Sequence, residues 1–321
     1  MKSRAYCRRR SGPATDSCSH ETGDDESVAR IRKRWLALAA AGVAGLAAAI
    51  AIWPRAGSAH HDQPVNTAHL KGTSDYLSGV AADLYLPSTP GSARKPVAAP
   101  VVVLVPGGGW QTADRLGLGP LAETLARRGM VVVNATYRAA VDHVLFPQPV
   151  ADIVCAVDYA ADRARRAGYR AAPLVVLGHS SGAHLASLAA LAGSHFRAHC
   201  PYPPAQPDGF VGLAGPYDLT AFGDAVRPLF GASQEQAPAA WHDGNPYTWV
   251  RSRPGLAVLL AAGDHDDLVS WGSSMAFAAA LRDAGHRIRL DIVSGATHFD
   301  IYTPDVIAST VAAWITTVKP G

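Results

Sequence analysis

The stretch Val176–Ala186, VLGHSSGAHLA, sets two serines side by side between glycines and histidines. One of them, Ser180, has Gly178 two residues before it and Gly182 two residues after. A serine hydroxyl becomes a nucleophile when a base takes its proton and a carboxylate orients that base. The glycine spacing fits a nucleophile on a sharp strand-to-helix turn, where the residues at minus two and plus two crowd each other and the backbone. Giving the role to Ser181 would put His179 and Ala183 in those crowded positions. Downstream, one apolar run ends in three carboxylates, Asp264, Asp266 and Asp267, and another ends in His298. The order serine, acid, histidine is the one this kind of turn calls for.

The elements that must carry these groups alternate along the chain. Short apolar runs closed by turn residues read as strands at 81–87, 100–108, 130–137, 172–178, 208–215, 254–264 and 287–296. Segments with helical periodicity fall at 118–129, 149–168, 181–193, 273–285 and 305–318. Near-continuous apolar strands between helices predict an α/β fold with a largely parallel sheet covered on both faces. In such folds reactive groups sit on loops at the carboxyl ends of the strands, where Ser180, the three carboxylates and His298 all fall. Residues from about 200 to 253 are rich in Pro, Gly and aromatics with weak periodicity, and read as a small cap inserted between two strands.

Five motifs together, VPGGGW (105–110), GHSSGAH (178–184), GPYDL (215–219), GDHDDLV (263–269) and GATHF (295–299), resemble the α/β-hydrolase superfamily. Within it they resemble esterases with an HGGGW-type oxyanion loop, of the feruloyl-esterase, acetyl-esterase and kynurenine-formamidase kind. The resemblance covers roughly residues 75–318. It implies an eight-stranded, mostly parallel sheet and a carboxylic ester hydrolase acting on a small-molecule ester, with neither cofactor nor metal. Gly263, Asp266 and Val269 match the family's G-x-x-D-x-x-V pattern, so Asp266 is expected to be the acid, with Asp264 second. Asp267 is expected to face solvent or cap a helix. His298 matches the base and Ser180 the nucleophile, while His179, His184 and His265 read as packing or solvated neighbours.

The resemblance and the glycine run together assign oxyanion donors to the N–H groups of Gly108, Gly109 and Ser181. Pro106 stands where the family carries a histidine that supports this loop, which puts the loop's pose in question. Trp110 and Tyr217 are candidate substrate contacts, with core packing as the alternative for each; Trp241, Tyr247 and Trp249 share that ambiguity. Two rival readings are an arylformamidase using the same machinery and a membrane-tethered binding protein built on an inactive hydrolase fold.

Charge excludes one further class. The formal net charge is +3, but residues 1–34 hold nine Lys/Arg against five Asp/Glu, leaving the remainder near neutral without a basic stripe for nucleic acid. Arg30, Arg32, Lys33 and Arg34 precede an uncharged run, Trp35–Trp53, whose length as a helix is roughly 28 Å, close to bilayer thickness. The sequence thus divides into a basic tail (1–34), an anchor or signal-peptide core (35–53), a linker (54–75) and a catalytic domain (76–321). Small residues at Gly57–Ala59 allow cleavage, and either outcome places the body outside the cytoplasm, membrane-anchored or secreted. In that setting a disulfide between Cys155 and Cys200 is allowed, although Cys155 falls in a helical pattern where a buried thiol is the commoner state. Cys7 and Cys18 lie in the tail, and His60–His61 read as solvated linker.

Overall fold

Strands as apolar as Val101–Val105 cannot leave one face in water, and the computed structural model, which describes residues 69–88 and 94–321, buries both of their faces. Eight strands form one sheet: β1 (Leu70–Leu77), β2 (Val80–Tyr85), β3 (Val97–Val105), β4 (Val131–Ala135), β5 (Tyr169–His179), β6 (Gly209–Leu213), β7 (Ala257–Gly263) and β8 (Arg287–Val293). Their order is β1-β2-β4-β3-β5-β6-β7-β8. Pairings from β4 through β8 are parallel, whereas β1–β2 and β2–β4 are antiparallel. Alternation along β3 feeds two separate cores. Val101, Val103 and Val105 enter one with helices α2 (Gln148–Arg166) and α3 (Ser181–Phe196), while Val102 and Leu104 enter the other with α1 (Gly119–Arg127). Each fully buried valine or leucine contributes about 1.5–3 kcal/mol.

The predicted strands and helices recur with small shifts at their ends, and the fold is the α/β-hydrolase one. Two boundaries and one cysteine differ. Residues 70–75, read as linker, belong to β1, so the described body begins ahead of residue 76. Most of LKGTSDYL faces solvent, so no apolar alternation marked it; β1 is held by its ladder to β2, the buried Tyr76 hydroxyl on the Thr136 carbonyl (2.7 Å) and Thr73 on Asp83 (2.6 Å). Second, β6 lies inside the 200–253 stretch, so the insertion between strands spans 214–256. It consists of short turns with α4 (Arg227–Phe230) and α5 (Pro238–Gly244).

Third, Cys155 is not a free thiol but is disulfide-bonded to Cys200. The loop after α3 folds back across α2, with Arg197 paired to the buried Asp158 and the Ala205 N–H donating to that carboxylate (2.7 Å), which brings the two sulfurs together. The remaining helices are α6 (Trp271–Asp283) and α7 (Ser309–Ile315). Among the described residues no helix is long and apolar enough to cross a membrane. The tail, the 35–53 run, Cys7, Cys18, Gly57–Ala59 and His60–His61 lie outside the described residues.

Candidate active site

The turn that carries Ser180 follows from close packing around two glycines. Ser180 sits at φ 53°, ψ −127°, a strained conformation for a residue with a side chain, and its N–H donates to Leu213 O (2.8 Å) at the end of β6. A Cβ on Gly178 would overlap the carbonyl of Gly182, and one on Gly182 would overlap those of Val105 and Pro106. Gly107 is also constrained, since a Cβ there would lie 2.9 Å from Cβ of Ser180. The turn is therefore wedged against the end of β3. Ser180 O accepts from Ala183 (2.8 Å) and His184 (3.2 Å), which starts α3 directly behind the serine and aims its positive end at the site.

Asp266 and His298 arrive on the loops after β7 and β8. His298 Nε2 is 2.9 Å from Ser180 Oγ, and His298 Nδ1 is 2.7 Å from Asp266 Oδ2. The other carboxylate oxygen of Asp266 accepts from Leu268 N (2.9 Å) and Val269 N (2.8 Å), so its orientation is set by main chain. The Asp266 side chain is fully buried and that of His298 is 6% exposed. A buried carboxylate bonded to one imidazole nitrogen selects the tautomer whose other nitrogen can take a proton.

The two loops are joined to each other. Asp264 N donates to Val293 O (3.2 Å), His265 N donates to Ala296 O (3.1 Å), and Gly295 N donates to Asp264 Oδ1 (2.6 Å). A Cβ on Gly263 would overlap the Ala296 carbonyl. Asp264, second in line for the acid, thus faces the backbone of the histidine loop, and that hydrogen bond holds its carboxyl below the usual range. Asp267 and His265 are exposed.

His179 is buried beneath this assembly. Its ring lies 4.7 Å from the His298 ring and 4.5 Å from Tyr302, and its Nε2–H donates to His298 O (2.9 Å). Burial, with His298 adjacent, holds its imidazole well below the ordinary value, so it stays neutral. A contact between residues 119 positions apart left no mark in the sequence; the histidine inside the turn motif was the available clue.

The glycine loop leaves β3 with Gly108 at φ 143°, Gly109 at φ 59° and Trp110 at φ 59°. A side chain at 108 would strike Thr112, so only glycine fits. Gly108 O accepts from Gln111 N (3.1 Å) and Thr112 N (3.2 Å), closing the loop on itself. The N–H groups of Gly108, Gly109 and Ser181 donate to no protein acceptor among the described residues. Beside Ser181 the buried Tyr137 hydroxyl is pushed up to about 12 by burial. Trp110 is 5% exposed and Tyr217 fully buried, the latter stacked on Phe277 at 4.3 Å. Both rings are core, the alternative that stood beside substrate contact. Trp241 is likewise buried, on Phe230 (4.9 Å), while Tyr247 and Trp249 are partly covered. Among the described residues no three His, Cys, Asp or Glu cluster as a metal site.

This arrangement can activate a hydroxyl, orient the base and offer amides to a developing oxyanion. Comparison with known proteins agrees with the fold. Esterase 2 of Thermogutta terrifontis with butyrate bound superposes with TM-score 0.63 at 22% identity, covering 77% of this chain and 91% of that one. A truncated carbohydrate esterase from gut microbiota superposes with TM-score 0.64 at 18% identity, covering 76% and 92%. By sequence the chain is 27% identical over 242 residues to a probable isoprenylcysteine alpha-carbonyl methylesterase of Oryza sativa subsp. japonica, covering 70% of this chain and 56% of the relative. It is 31% identical over 208 residues to the esterase LipQ of Mycobacterium tuberculosis, covering 58% and 47%. Kynurenine formamidase of Drosophila melanogaster matches at 25% identity over 63% of this chain and 67% of its own length. The chain spans about half the length of the first of these curated relatives. The BD-FAE family pattern covers residues 82–281, and with the sheet order and the serine turn in place the chain belongs to the BD-FAE family of α/β-hydrolase-fold proteins.

Proposed function

We propose that the chain is a serine hydrolase that cleaves carboxylic esters of small or aromatic substrates through an acyl-enzyme. One observation carries the reading: the continuous line from Asp266 Oδ2 through His298 to Ser180 Oγ, with spacings of 2.7 and 2.9 Å. In the first step His298 Nε2 takes the Ser180 proton as Oγ bonds to the ester carbonyl carbon, and the carbonyl electron pair moves onto oxygen. The amides of Gly108, Gly109 and Ser181 receive that oxyanion. Collapse expels the alkoxide, which takes the proton from His298 and leaves as the alcohol. Water, deprotonated by the same imidazole, then releases the acid and restores Ser180. The butyrate held by the Thermogutta esterase and the methylesterase relative support short groups on either side of the ester.

The match to a kynurenine formamidase favours a second reading, hydrolysis of an aryl formamide by the same residues. The Cys155–Cys200 disulfide supports a body exported from the reducing cytoplasm, as the N-terminal sequence suggests, with the apolar segment retained as an anchor or cleaved. The test uses the full chain with p-nitrophenyl acetate and butyrate, an aromatic ester and N-formylkynurenine. Turnover of the esters, falling by about 10⁶-fold in kcat in Ser180→Ala, is expected. Preference for the formamide would move the assignment to the amidase. Failure of a fluorophosphonate probe to label the wild-type chain would leave an inert binding protein.

A further inference from the structure

One buried histidine that the proposed mechanism leaves unused is His184, four residues after Ser180 on α3 and without solvent exposure. Its two ring nitrogens reach two different parts of the molecule. The Trp110 indole N–H donates to Nδ1 (3.1 Å), and Nε2–H donates to Gly244 O (2.8 Å) at the end of α5 in the insertion. We infer that His184 is a positioning residue: it ties the end of the amide cradle to the nucleophile helix and ties both to the insertion. The inference rests on the serine-hydrolase reading for its kinetic consequence, though not for its geometry.

Three features make this more than core packing. Trp110 follows Gly109 directly and holds a left-handed backbone, φ 59°, which a bulky residue keeps only when its surroundings fix it. The main chain after it is fixed from one side by Ala140 N on Trp110 O (3.1 Å) and Val141 N on Gln111 O (3.0 Å), both from the β4–α2 loop. On the other side the indole meets the imidazole edge-on, with centroids 5.6 Å apart and planes at 79°. Since α3 also begins with Ser181, the helix that carries the third amide is the one that holds the other two through Trp110.

Second, the pair of bonds fixes the tautomer. A carbonyl at Nε2 requires a hydrogen there, so Nδ1 is left as the acceptor that an indole needs. Burial keeps this ring neutral, with a value lowered to about 4. Third, Gly244 is built for close approach: a Cβ there would lie 2.6 Å from the Phe230 ring. The carbonyl reaching His184 therefore belongs to a residue that Phe230 and Phe146 hold in place, and Phe146 N donates to Leu229 O (2.8 Å). Motion of the insertion is thereby linked to the pose of the amides.

The two bonds can be cut separately. Asparagine carries its amide oxygen where the imidazole has Nδ1, and glutamine carries its amide nitrogen where the imidazole has Nε2. His184→Asn keeps the acceptor for Trp110 and loses the insertion; His184→Gln does the reverse; Trp110→Phe removes the donor. With a p-nitrophenyl ester, His184→Gln and Trp110→Phe are expected to lower kcat by about 10- to 100-fold with little change in KM, because the amides act on the transition state. His184→Asn is expected to retain most of kcat and raise KM by about 3- to 10-fold, because the insertion acts on substrate binding. Backbone hydrogen exchange, read in the same proteins, should quicken at 107–112 in the first two and at 238–249 in the third. An equal fall in kcat in all three, or unchanged exchange at 107–112 in His184→Gln, overturns the proposal. If the wild type turns over no ester, the hydrolase reading fails by itself, and the exchange measurements still decide whether His184 holds the loop.

Discussion

The two flanks of the candidate site are held by different means. On one flank the loops after β7 and β8, which carry Asp266 and His298, are stitched together by main-chain hydrogen bonds and a glycine-to-carbonyl approach at Gly263. On the other flank the glycine loop and the insertion meet through rings: Trp110 on His184, Phe146 on Phe230, and Phe230 on Trp241. Backbone stitching fixes positions whatever the side chains do, whereas ring packing depends on a few side chains and adapts when they change. In the proposed mechanism proton transfer therefore falls on the stitched flank and adjustment on the other.

The largest effect should come from the stitched flank. Asp266→Asn keeps the shape but offers the wrong hydrogen-bonding partner to His298, and steady-state assays should find kcat lower by about 10⁴-fold. A loss below tenfold would mean that Asp266 does not orient the base. A control lies in the disulfide, whose two cysteines belong to none of the loops that carry Ser180, Asp266, His298 or the glycine run. Cys155→Ala/Cys200→Ala should lower stability by about 4 kcal/mol in denaturant titration while leaving kcat at 25 °C within about twofold. A large change in kcat would join that loop to the site and blur the contrast.

Acid should loosen the ring-packed flank through His184. His184 titrates at about 4 in the folded chain against an ordinary 6.5. The unfolded chain therefore takes up its proton first. The stability that His184 contributes is complete above pH 6.5 and is lost as pH falls through the folded value, amounting to about 3 kcal/mol by pH 4. His179, depressed in the same direction and packed against His298, brings a similar loss to the stitched flank. Comparing unfolding at pH 7 and pH 4.5, the decline should be shallower in His184→Gln than in the wild type; parallel declines would remove His184 as its source. A further test of the stitched flank is Gly263→Ala, where the added methyl presses on Ala296 O and parts the loops of Asp266 and His298. It should reduce kcat by about 10²-fold with KM nearly constant; no change in kcat would show that this flank yields more easily than its stitching implies.

What the sequence disclosed follows the same division. The serine turn was legible because its demands are local: two glycines at fixed offsets between an apolar strand and an apolar helix. The ends of two apolar runs marked three carboxylates and His298, and the choice of Asp266 among the three came from the family pattern that the chain resembles. Strand β1 was not legible, because it is held by its ladder and a few hydroxyls, and polar residues cover most of it. The Cys155–Cys200 bond depended on how the 197–208 loop returns across α2, which residue spacing does not encode. Trp110 and His184 each stood in a motif, but their contact joins residues 74 apart and needed coordinates to appear.

A Cβ on Gly182 would overlap the carbonyls of Val105 and Pro106, so any side chain there would push the Ser180 turn away from the strand that leads into the glycine loop. Directed evolution that tries to relocate either by substitution there would disturb both at once. New substrate scope should instead emerge from changes in residues 214–256 that leave Gly244 and its bond to His184 in place.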